Sequence, residues 1–180
     1  PMLDARFICG WSLIYANLLD ELRAKIIVKK SRNIINWLVE NNELRHAHFG
    51  DSAYLLEPNL KEGQGGLRDY HTMLWIARIA FNAKQSRDLE YLGHLSHREY
   101  QTLSRSIAFI WNVRNRIHYI CGRKCDQLHF ENQVKLARSL NYKKNNGQEP
   151  VERFMGELHG KMEALKQQHL VFLHELGYEK

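Results

Sequence analysis

EPNLKEGQGGLRDYHTMLWIARIAF, Glu57 to Phe81, holds a loop and a helix in one phrase. Residues Glu57 to Asp69 carry three of the eleven glycines and one of the three prolines, among the charges Glu57, Lys61, Glu62, Arg68 and Asp69. The phrase from Leu67 onward is an apolar run with helical character. Glycine lets a backbone approach a ligand closely, and a helix start offers unpaired N–H groups and partial positive charge to an anion. Gly65-Gly66 leading into a helix between Lys61 and Arg68 therefore reads as a phosphate-facing corner. The competing reading is a loop whose glycines only turn the chain, since glycine-rich loops are common punctuation.

Outward from this stretch, nearly every periodic signal is helical. Ser12 is placed to cap a segment reaching about His46, with Tyr15, Leu19, Leu22, Ile26, Ile27, Ile34, Trp37 and Leu38 at helical spacing. Unbroken, it would span about 50 Å. Lys29-Lys30-Ser31-Arg32 is where a bend or a solvated face is expected. Tyr54 to Glu57 suits a short strand or extended arm. Ser96-His97-Arg98-Glu99 is a capping box, and the helix it opens carries Leu103, Ile107, Ile110, Val113, Ile117 and Ile120 towards Cys121. Gly122 is a natural stop. A shorter helix is expected over about Glu131 to Leu140, then a polar turn from Tyr142 to Gln148. Pro150 suits the first turn of a last helix, about Val151 to Leu176, ending at Gly177. No strand–helix alternation points to a parallel sheet. The expectation is one all-α domain over 1–180, a bundle of long helices with a small extended Gly-rich insertion at 51–66.

Composition narrows the function classes. The 26 basic and 20 acidic residues of this 180-residue chain leave a net +6, a mild excess that suits a phosphate-bearing partner without marking a nucleic-acid binder. Sparse aromatic–basic interleaving also argues against a nucleic-acid surface. No apolar run approaches the roughly 20 residues of a membrane span, and the N-terminus does not read as a signal peptide. The chain opens at Pro1 with no initiator Met, as expected of a fragment. Three cysteines form no even disulfide framework and suit a reducing, cytoplasmic setting.

His118, Cys121, Cys125 and His129 form H-x2-C-x3-C-x3-H, four residues able to bind zinc, but the spacing matches no standard finger. The alternative is two cysteines acting as small buried apolar groups. His46-Ala47-His48 reads as the close of the long helix. Trp111, Arg114 and His118 share one helix face. A partly buried Arg114 needs an anion, either Asp69, Asp126 or a ligand phosphate. No Walker-type loop and no G-x-G-x-x-G is present. Paired carboxylates at D-x-D spacing, which would hold catalytic metals, are absent too. The expectation is a chain with no catalytic residues and no catalytic metal site of its own.

The run LLEPNLKEGQGGLRDYHTMLWIAR, Leu55 to Arg78, closely resembles the signature region of bacterial protein-PII uridylyltransferases. The resemblance extends to MLDARFICG (Met2 to Gly10), to RHAHFGDSAYLLEPN before the signature, and to VERFM (Val151 to Met155). It also includes Arg114 with IHYICGRKCDQLHFENQ (Ile117 to Gln133), the pattern R-x3-H-x3-GR-x2-D-x-L-x-F-x2-Q. The cysteines are no part of it. The resemblance implies the helical domain that follows a nucleotidyltransferase core, residues 1–10 being the tail of that core. It implies a parent enzyme that moves UMP from UTP to a tyrosine of the PII signal protein in nitrogen regulation, with Mg2+ held by the core. In that setting Lys61, Gly65, Gly66 and Arg68 would face nucleotide phosphates as the domain closes the cleft. Glu57 and Asp69 would orient the basic side chains, and Arg114 and His118 would support the loop from behind. The alternative is a non-catalytic helical module that docks a neighbouring domain or PII.

Overall fold

A computed structural model describes residues 2–49 and 56–178. The expected arm at Tyr54-Leu55 lies outside the described residues. Those described are all-α, with only isolated bridges in place of strands.

The long N-terminal segment is helical in three pieces. Helix α1 (Ser12–Leu22) passes into a wider π-helical stretch, Arg23–Ile27, and then into α2 (Val28–Phe49). The Val28 N–H reaches back to the Arg23 carbonyl, the mark of the extra residue per turn. A kink follows at Lys30 (φ −124°, ψ 16°), inside the basic run where a bend was expected. None of the residues of α1 is buried.

The core is built by α3 (Leu67–Phe81), α5 (His97–Cys121), α6 (Phe130–Ser139) and α7 (Pro150–Glu175), with α2 laid against α3. Helix α5 starts in the Ser96–Glu99 capping box and stops at Gly122 (φ 63°). Its stripe of Leu103, Ile110, Val113 and Ile117 is buried against α7, which contributes Phe154, Leu158, Met162, Leu165 and Phe172. Fully burying one such side chain is worth about 1.5–3 kcal/mol, so this α5–α7 seam is the main cohesive surface. Helix α7 begins at Pro150 with a second capping box, Glu149 with Glu152, that the sequence reading did not anticipate. Nor did it anticipate α4 (Asp88–Tyr91), a single turn whose Asp88 carboxylate accepts from the Lys84 and Gln85 N–H groups. At the N-terminus, Asp4 ties the chain to α3 by accepting from Trp75 Nε1 at 2.8 Å and Arg78 at 2.7 Å.

Candidate functional site

The glycine loop ahead of α3 is held from two sides. From below, Leu56–Leu60 lies along the connection between α5 and α6. Leu60 N–H donates to the Asp126 carbonyl at 2.8 Å, and Leu128 N–H donates to that of Pro58 at 3.0 Å. Gln127 reaches the Glu57 carbonyl, and Gln133 reaches that of Leu56 at 2.7 Å. Leu60 itself is fully buried. The Asn59 side chain then turns the chain by accepting from the Lys61 and Glu62 N–H groups at 3.1 and 2.8 Å.

The loop caps its own helix. Gly66 N–H pairs with the Gly63 carbonyl, Leu67 with Leu60, Arg68 with Lys61, and Asp69 with Gly66, all at 2.8–3.1 Å. Gly65 N–H donates to Asp69 Oδ2 at 2.7 Å. The open N–H groups expected at this helix start are thus already partnered, because the chain folds back on itself. The close approach at the glycines is likewise made by the protein's own backbone. Gly65 has φ +72°, and a Cβ there would collide with the Met162 carbonyl of α7; at Gly66 it would collide with the Gly63 carbonyl.

Asp69 is completely buried and anchors a polar network between α2, α3 and α7. Its Oδ1 accepts from Arg45, and from His46 Nε2 at 2.8 Å. Arg45 also donates to Asn42 Oδ1, which turns the Asn42 amide N–H towards His169 Nε2 at 2.9 Å. That nitrogen must therefore accept, so the buried His169 is neutral with its proton on Nδ1. Burial lowers the His169 pKa to about 4 against the pull of the Asp69 charge. For Asp69, burial pushes upward, but the bond from His46 and the charges of His46 and Arg45 hold it at about 2, helped by His169 only once acid has protonated that ring.

The basic side chains have other partners than those expected. Arg68 grips Glu62 through Nε at 3.3 Å and a terminal nitrogen at 3.2 Å, and Lys61 Nζ lies 3.0 Å from the same carboxylate. Glu57 does not orient them. It faces away, accepting from the Phe130 N–H at 2.8 Å with His129 3.3 Å off, and so caps the start of α6. Asp69 orients Arg45 and His46 rather than Arg68. Of the partners open to Arg114, the structure selects Asp126: Arg114 Nε donates to Oδ1 at 2.8 Å, with His118 Nε2 at 3.0 Å. Since the Asp126 carbonyl holds Leu60, Arg114 and His118 stand directly behind the loop.

Of the H-x2-C-x3-C-x3-H residues, Cys121 and Cys125 lie side by side, while the two histidines turn to separate carboxylates. His118 faces Asp126 and His129 faces Glu57, while Asn132 approaches Cys121, and Cys125 donates to the Gln127 carbonyl. Among the described residues no cluster of His, Cys, Asp or Glu is placed to hold a metal ion.

Sequence reasoning missed Arg45, Asn42, His169 and the pairing role of Glu62. Arg45 lies in the stretch RHAHFG, where only His46-Ala47-His48 had a reading, as a helix end. Beside the cations runs an apolar groove of about 670 Å³ with Trp37, Ile34, Ile26 and Trp75 along it and Arg45 and Arg68 at its rim. Arg68 sits over the Trp75 ring, 5.6 Å from its centroid. Burial, and next the nearby Arg68 charge, lower the His71 pKa on the same helix.

Comparison with known proteins adds a family. The family model described as GlnD PII-uridylyltransferase matches residues 33–173. A bifunctional uridylyltransferase/uridylyl-removing enzyme of Nitrobacter hamburgensis is 36% identical over 154 residues, 86% of this chain and 16% of its own length. Enzymes of the same description from Rhodopseudomonas palustris and Rhodospirillum rubrum are 34% and 36% identical over the same share of this chain. The chain thus spans 16–17% of these relatives' length. No solved structure matches it.

Proposed function

Since the chain belongs to the PII-uridylyltransferase family, we propose that it is the helical domain beside the nucleotidyltransferase core of such an enzyme. There it closes the nucleotide cleft while UMP passes from UTP to a tyrosine hydroxyl of the PII signal protein, in the cytoplasm, as part of nitrogen regulation. The observation that carries this reading is the group Lys61, Arg68 and Arg45 gathered around Glu62, with Arg45 and Arg68 also lining the Trp37–Trp75 groove. Phosphoryl transfer builds negative charge on the leaving pyrophosphate, and fixed cations in a partly dry site stabilise it. Gly65 and Gly66 serve by letting the loop fold tightly enough to present Lys61 and Arg68 on one side. Arg114 and His118 hold that loop through Asp126. In this reading the Mg2+ of the reaction would be held by the carboxylates of the core, and the side chains of this chain act on phosphate charge alone.

The test is Arg68→Ala in the full-length polypeptide, with kcat/KM for UMP transfer to PII and the melting temperature measured on the same sample. Loss of one charge-assisted contact at the transition state should cost on the order of 2–4 kcal/mol, tens- to several-hundred-fold in rate. A large drop in melting temperature with near-normal activity of the folded fraction would make Arg68 a structural partner of Glu62 only.

A second reading has its own observation. Trp11, Leu13, Ile14 and Leu18 on and just before α1 are 47–69% exposed, an apolar face that suits a docking module. Under that reading Arg68→Ala leaves transfer intact, while charged substitutions at Leu13 and Ile14 impair the full-length enzyme.

A further inference from the structure

Three cations converge on one carboxylate, and two of them, Arg45 and Arg68, line the groove. Arg68 meets both oxygens of Glu62, Lys61 lies 3.0 Å from one, and Arg45 Nε lies 4.0 Å from the other. Arg45 also donates to the Glu62 carbonyl. These side chains are only 11–29% exposed. Among the described residues the other carboxylate bonded to these cations is Asp69, which Arg45 shares with His46. Three formal positive charges thus stand against two negative ones in partly desolvated surroundings. An unmatched charge there is costly and favours a more highly charged anion.

The two carboxylates differ in freedom. Asp69 is fully buried and bonded on both oxygens, so it is fixed. Glu62 is 22% exposed. The turn that carries it is held by other groups: Asn59 Oδ1 on the Lys61 and Glu62 N–H groups, and the Asn59 carbonyl on Gly63 N–H. The Glu62 side chain can therefore swing out while the backbone stays in place. A polyphosphate brings more charge and more acceptor oxygens to the same cations, and it suits both the forked guanidinium and the ammonium point charge.

Resting on the phosphate role already assigned to Lys61 and Arg68, we propose that Arg45, Lys61 and Arg68 form a polyphosphate site whose resting occupant is the Glu62 carboxylate, which a nucleotide's phosphates displace on entry. Glu62 is then an internal competitor that keeps the cations paired and aligned until substrate arrives. Because it is tethered, its effective concentration is high, and removing it should strengthen binding.

The probe is inorganic pyrophosphate, titrated into this chain at fixed ionic strength. Trp75 emission reports the release of Arg68, and Trp75→Phe serves to subtract the other tryptophans. Glu62→Gln should bind pyrophosphate on the order of tenfold more tightly than the unchanged chain, and Arg68→Ala in that background should remove the gain. Uridine without phosphate should not compete. Equal affinity in Glu62→Gln, or a gain that survives Arg68→Ala, overturns the exchange. Should Glu62→Gln not fold, the Glu62 side-chain carboxyl carbon is followed by NMR in the unchanged chain. It must shift on saturation with pyrophosphate, and a static signal overturns the exchange equally. These outcomes leave the transfer reading standing, since that reading falls only if full-length Arg68→Ala transfers UMP normally.

Discussion

Acidification should weaken this fold well before its carboxylates protonate, and His169 is the reason. Its ring is 1% exposed on α7. It is held neutral because Asn42 donates to Nε2. Asp69 on α3 and Arg45 and His46 on α2 are the charged or titratable groups acting on it. Its pKa is about 4 when folded, against an ordinary 6.5. Between these values the unfolded chain holds the proton and the folded one does not, so stability rises with pH across that window. The contribution is complete above about 6.5 and is lost as pH falls towards about 4. A shift of this size corresponds to about 3 kcal/mol at 1.36 kcal/mol per unit, a large share of the stability of an ordinary domain. Below this window, loss of the Asp69 contribution follows as pH falls from about 4 towards 2, because its folded pKa is the depressed one. The assay is urea unfolding of the chain at intervals from pH 7.5 to 4.5, set beside His169→Gln, which keeps a polar side chain but cannot titrate. The unchanged chain should lose about 2–3 kcal/mol more than the variant over that range. Parallel curves for the two proteins would refute the assignment of a buried neutral imidazole.

Two further outcomes follow from the loop. Gly65→Ala should destabilise by about 3 kcal/mol or more, combining strain at positive φ with a collision against the α7 backbone, read as a lowered urea midpoint. A neutral result would mean that α7 does not sit on the loop. Asp126→Asn should cost about 1.5–3 kcal/mol by weakening its bonds to Arg114 and His118, and hydrogen exchange should quicken at the Leu60 and Leu67 amides while the centre of α7 stays protected. Uniform loosening would place Asp126 in the general core rather than behind the loop.

Helices were legible in this sequence because burial writes itself at a period of 3.6 and because caps use few residue types. Ser96 with Glu99, Gly122, Pro150 and Gly177 each mark an end that the structure places within a residue or so. The π-helical stretch at Arg23–Ile27 was not legible. An extra residue per turn leaves the side-chain pattern nearly continuous and is decided by backbone hydrogen bonding and packing. The single turn of α4 is too short to show a period at all.

The site was legible only where it is local. Lys61 and Arg68 flank the glycines in the chain and are joined through Glu62 in space. Arg45, His46 and His169 reach the same place from α2 and α7, and no spacing rule links residues so distant in sequence. The two glutamates of the segment show the limit most clearly. Glu57 and Glu62 carry the same charge, a few residues apart, on either side of Asn59. The turn made by the Asn59 side chain sends Glu62 up towards the cations, while the bridge between Asn59 and Gln127 holds Glu57 down against α6. Which carboxylate meets which cation therefore depends on a turn and on a contact with a connection far along the chain. The charges themselves carry no record of either.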